Sequence, residues 1–126
     1  MEVEQINEML GKTFVSVSKA VAGDDELTFI SEDGDTVTFY HQQSCCEVVE
    51  IKDITGDLSD LIGSPLTEAE VVTEEMHPAD EYVSNNFGTW TFYKFGTVKG
   101  RVTVQWLGKS NGYYSESVYM KVTYKK

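Results

Sequence analysis

HQQSCCEVVEIKDITGDLSDLIG, residues 41–63, decides how the chain is read, because it joins two strand-rich halves and carries the sharpest turn-plus-helix signature between them. Residues 45–51 alternate weakly, enough for a short strand, and Thr55-Gly56-Asp57 breaks it. Asp57, with the carboxylate of Asp60 three residues on, has the spacing of an N-cap followed by an acid in the first turn. That spacing predicts a helix of one to two turns over 58–62. Gly63 suits the residue after its end, and Pro65 stops it from continuing.

Upstream, Asp33-Gly34 lies between two β-patterned runs, 27–31 and 36–41, and supplies the positive φ that a tight hairpin turn needs. Leu27 and Phe29 are expected on one face with Val37 and Phe39, forming half a core. Residues 12–21 are also β-rich, which completes an N-terminal meander. Before them, Val3, Ile6 and Leu10 form an apolar stripe that predicts an amphipathic helix over 3–10, stopped by Gly11.

Downstream, residues 67–75 fit either a strand through Ala69, Val71 and Val72 or a helical turn, and the choice stays open. Residues 77–88 read as a loop. From Thr89 the pattern is a three-stranded antiparallel meander over 90–98, 101–107 and 113–124, with turns at Lys99-Gly100 and at 109–112. Val102, Val104 and Trp106 alternate with polar residues, as do Val118, Met120, Val122 and Tyr124. The expected class is α+β: mainly antiparallel β-sheet, an N-terminal meander and a C-terminal three-stranded one, with two short helices, all in one domain over 1–126.

A chain of 126 residues buries roughly two-thirds of its unfolded surface on folding, so no staple is required. Adjacent cysteines, Cys45 and Cys46, are poorly placed for a bridge, which favours free thiols in a reducing compartment. The first residues carry carboxylates where a secretory signal carries bases, and no apolar run approaches the ~20 residues a membrane span needs. A cytoplasmic protein with no membrane contact is expected. Net charge is -11, unevenly spread: residues 44–93 carry eleven acids and one base, whereas 94–126 carry seven bases and one acid. The acidic part disfavours direct nucleic-acid binding and suits a basic protein partner. The basic end suits an anion.

His41, Cys46 and Glu47 are the weak candidates for a metal, since imidazole, thiolate and carboxylate are the right ligand types. Their spacing is wrong for strand neighbours, which point to opposite faces, so no metal or other cofactor is expected. The same carboxylate-rich surroundings would raise a thiol's pKa and so disfavour a cysteine nucleophile. The stronger constellation is at the basic end. Lys99, Arg101 and Lys109 offer charge to a phosphate, Asn111 and Ser115 offer hydrogen bonds, and Trp106, Tyr113 or Tyr114 offers a stacking face. The alternative is a hairpin whose turn needs Asn-Gly and whose aromatics are cross-strand pairs.

Two blocks, 41–66 and 89–118, contain CCE, GDLSDLIGSP, TWTFY and SNGYYSES. In these motifs the chain resembles a family of small uncharacterised proteins encoded by bacteriophages and prophages. The resemblance carries no activity over; by analogy it implies a counter-defence role in the host cytoplasm. Together these readings give a non-enzymatic binding protein that sequesters a nucleotide-like signal or binds a host defence protein, as a homodimer or higher homo-oligomer. The alternatives are an acidic nucleic-acid mimic that inhibits a host protein, and a metal-dependent enzyme using the 41–47 cluster.

Overall fold

Period-two alternation governs the chain from Phe14 onward. The computed structural model describes residues 6–18, 21–43, 46–76, 87–110 and 116–124. Its strands are β1 (Phe14–Val17), β2 (Glu26–Ser31), β3 (Thr36–Tyr40), β4 (Val48–Thr55), β5 (Glu68–Met76), β6 (Phe87–Thr97), β7 (Gly100–Ser110) and β8 (Tyr119–Thr123). Two four-stranded antiparallel sheets result, β1-β2-β3-β8 and β4-β7-β6-β5. This all-β arrangement corrects the α+β expectation.

Of the two expected helices, the one over 3–10 begins outside the described residues, with Ile6 and Asn7 helical before a turn, and the one over 58–62 shrinks to a single 3-10 turn. Among the described residues 6–10, the bonds Met9 N to Ile6 O and Leu10 N to Asn7 O are tight i to i+3 contacts. They bury Ile6 and Met9, while Leu10 of the expected stripe stays 44% exposed. Residues 58–61 form a single 3-10 turn, Leu58–Leu61, capped by Asp57 as expected and buried only at Leu61. With Pro65 three residues past its C-cap, the turn has no room to lengthen.

The first hairpin forms as read: Leu27 pairs with Phe39 and Phe29 with Val37. The expected C-terminal meander is corrected. β6 and β7 do form a hairpin, joined by the two residues Val98-Lys99, but β4 takes the other edge of β7. β8 crosses to the first sheet, where Met120 pairs with Phe39 and Val122 with Val37. Alternation in 118–124 marks a strand with one buried face, and it is silent about which sheet the strand joins. The open choice over 67–75 resolves as β5.

Phe14, Phe29 and Phe39 of the first sheet meet Tyr93 and Phe95 of the second, with Phe39–Tyr93 ring centroids 4.6 Å apart and Phe29–Phe95 5.4 Å. At one end of β1, Thr13 bridges Pro65, just before β5; at the other, Val17 shares a cleft with Asp53 and Ile54 of β4. Five residues at about 3.3 Å each cover about 16 Å, close to the about 14 Å across four strands. β1 therefore runs across the second sheet, not along it, which is the orthogonal mode of sheet packing.

Two core groups, Tyr93 Oη and Trp106 Nε1, are buried without a hydrogen-bond partner. Burial also pushes the Tyr93 hydroxyl far above its ordinary pKa. Removing an orphaned hydroxyl removes a desolvation cost. Tyr93→Phe should leave the urea midpoint unchanged or raise it, whereas Phe39→Ala should cost about 3–5 kcal/mol in the same titration.

Candidate functional site

The basic constellation does not assemble into one site. Lys99 and Arg101 flank the β6–β7 turn, and Lys109 lies eight residues beyond Arg101 on β7, about 26 Å away along a strand. Trp106 is fully buried between the sheets and cannot stack on an external base. Asn111, Tyr113, Tyr114 and Ser115 lie outside the described residues.

The two cations at the turn are engaged within the chain. Lys99 Nζ donates to the carbonyl of Ile62 at 2.6 Å, fastening the turn to the end of the 3-10 segment. Arg101 Nε lies 3.1 Å from Glu68 Oε1. Between them in register is Gly96, paired with Glu68 on one side and Arg101 on the other. A Cβ on Gly96 would stand 3.1 Å from Glu68 Oε1 and 3.3 Å from Arg101 Cγ, so a missing side chain makes room for this pair. Arg101 remains 83% exposed, and the pair contributes at most about 1 kcal/mol.

The metal candidates also find other roles. His41 Nδ1 donates to the carbonyl of Ser117 at 2.7 Å, since a carbonyl can only accept. Its Nε2 lies 2.7 Å from Glu47 Oε2, and both side chains are almost wholly buried. With Nδ1 carrying a hydrogen, the pair shares one further proton and is neutral as a whole. Neither nitrogen is left for a metal. Cys46 is disulfide-bonded and exposed, which corrects the expectation of a free, buried thiol and removes it as a thiolate ligand. The inference of a reducing compartment loses its ground with it. Among the described residues no cluster of three His, Cys, Asp or Glu could hold a metal.

Glu116 serves the same end of the sandwich, accepting from Thr89 Oγ1 at 2.7 Å and from Ser110 Oγ. Its backbone passes so close to β7 that a Cβ on Gly108 would fall 2.6 Å from the Glu116 carbonyl. At the other end, a cleft of about 610 Å³ is lined by Val17, Ser18, Val21, Ile54 and Leu58 together with Asp53 and Asp57. Hydrogen bonds from the Ser59 hydroxyl and amide hold the Asp57 carboxyl below its ordinary pKa. The stability this adds is present above the ordinary carboxylate range and is lost as pH falls through the lowered value. Carboxylates make this cleft a poor receptor for phosphate.

The sequence assigns an acidic part to a basic protein partner without resolving that its carboxylates gather on the edge of the second sheet. Among the described residues β5 pairs only with β6, and it carries Glu68, Glu70, Glu74 and Glu75 with no base of its own. Glu70, Val72, Thr73 and Glu74 are exposed. The charge count over 44–93 was the available signal, and it was hidden by leaving 67–75 without an assigned structure.

Residues 7–120 match DUF7448, a family described as a domain of unknown function. The chain belongs to that family. The matched region runs from before β1 into β8, so the family unit takes in both sheets. No curated protein and no solved structure matches the chain. No helix among the described residues is long and apolar enough to cross a membrane.

The His41–Glu47 pair makes a direct prediction for this family member. Glu47→Ala leaves a buried imidazole nitrogen without its partner and should cost about 1–3 kcal/mol in urea unfolding. Glu47→Gln keeps a donor toward Nε2 and should cost clearly less; equal losses would contradict the shared-proton reading.

Proposed function

We propose that this DUF7448 chain is a non-enzymatic binding protein that docks through its acidic second sheet on a basic surface of a partner protein. One observation carries the reading: β5, an edge strand of nine residues, holds four carboxylates and no base. At net charge -11 the long-range field already attracts a basic partner, and the edge localises it. The motif resemblance to phage-encoded proteins supports a phage origin, with a host defence protein as the partner bound in the cytoplasm. Sequestration of a nucleotide-like signal is the weaker reading, since the bases that would hold the phosphate are split between the two ends of β7.

Oligolysine serves as a probe of the acidic site. Glu70→Lys with Glu74→Lys changes the net charge by four, and so does Glu26→Lys with Asp33→Lys on the first sheet. In isothermal titration at low salt, the β5 double variant should bind oligolysine roughly tenfold more weakly, at about 0.7 kcal/mol per reversed charge. The first-sheet control should lose less, and added salt should weaken the wild-type interaction. Equal losses in the two variants would show a diffuse field and sink a localised docking site.

A further inference from the structure

We infer that the β5 edge takes an additional strand: an extended peptide segment of the partner in which basic and apolar side chains alternate. This deepens the docking reading and rests on it. Three independent features of β5 point the same way. First, among the described residues the strand has one hydrogen-bonded neighbour, β6, so every second amide and carbonyl along Glu68–Met76 faces away from that sheet.

Second, its two faces ask for different side chains. Glu68, Glu70, Val72 and Glu74 are on the outer face, level with Gly96, Lys94, Phe92 and Trp90 of β6. A strand added here would set its own outward side chains beside Glu70 and Glu74, where lysine or arginine fits, Glu68 being already paired with Arg101. Ala69, Val71 and Thr73 are on the opposite face, level with Phe95, Tyr93 and Thr91, which are all buried. Yet Ala69 and Val71 are only half-buried and Thr73 is exposed. The inner layer of the sandwich stops short of β5. Apolar side chains on an added strand would complete it, with the backbone supplying affinity and the alternation supplying specificity.

Third, the charges oppose the simplest competitor, a second copy of the chain, in the registers centred on the middle of the strand. In a symmetric antiparallel β5–β5 pair centred on Val72, Glu70 would stand directly opposite Glu74; centred on Val71, Glu68 would stand opposite Glu74. Like charges directly opposed across strands are destabilising. In those registers the edge favours a basic strand over a second copy of itself.

The test uses an alternating Lys-Val peptide, the same peptide with alternate backbone amides N-methylated in either phase, and oligolysine, each titrated against the full chain. Binding is followed by calorimetry and by amide hydrogen exchange. Strand addition predicts that the Lys-Val peptide slows exchange of alternate amides within Glu68–Met76, and that at least one N-methylated phase binds at least tenfold more weakly. Glu70→Lys with Glu74→Lys, checked for folding by circular dichroism, should lose the same protection. Equal binding of both N-methylated forms, or protection confined to other strands, would overturn strand addition while leaving charge docking in place. Failure of both oligolysine and the Lys-Val peptide to bind would remove both readings.

Discussion

The contact between Phe39 and Tyr93, with ring centroids 4.6 Å apart, is where the hairpin of β2 and β3 meets the hairpin of β6 and β7. Around it Phe14, Phe29 and Phe95 form a continuous aromatic layer, with pairs mostly edge-on or tilted. Burying that layer requires two sheets face to face, and β1 lying across the second sheet sets their orientation. Everything peripheral follows from this geometry. The turn at Ile6–Met9 and the 3-10 segment are plugs, each contributing one or two side chains to the same core. The covering layer ends before it reaches β5, and the edge strand is left with one half-covered face.

The polar groups that invite a chemical reading are engaged in holding this frame. His41 and Glu47 tie the end of β3 to the start of β4 and, through Ser117, to the approach to β8. Lys99 ties the β6–β7 turn to the segment before β5. Thr97 donates to Asp60 across the same gap. The ties from His41 to Ser117, Lys99 to Ile62 and Thr97 to Asp60 join elements that are distant in sequence. Among the described residues, what remains outward is charge and backbone edge, on which the proposed docking rests.

Much of the first sheet was legible in the sequence. Leu27, Phe29, Val37 and Phe39 alternate strictly around Asp33-Gly34, so a local rule fixes both the turn and the register. The C-terminal strands were legible singly and not as a sheet, because Met120 and Val122 bury the same face whether they lie on β7 or on β3. Trp106 was drawn into a ligand site by its residue type, although its alternation with Val102 and Val104 already marked it as core. Proximity in sequence also misled at Arg101 and Lys109, since strand rise separates residues that a loop would have gathered. The Gly96 gap that seats the Arg101–Glu68 pair depends on strand register and has no sequence signature.

Docking at β5 requires that strand to be a true edge, and amide hydrogen exchange of the unliganded protein, resolved residue by residue by NMR, tests that most directly. β7 is flanked on both sides, so its amides should be protected along the strand. β5 should show alternation, with every second amide between Glu68 and Met76 exchanging fast. Protection of consecutive amides along β5, comparable to that of β7, would mean that the edge is already occupied and would contradict a docking role for it.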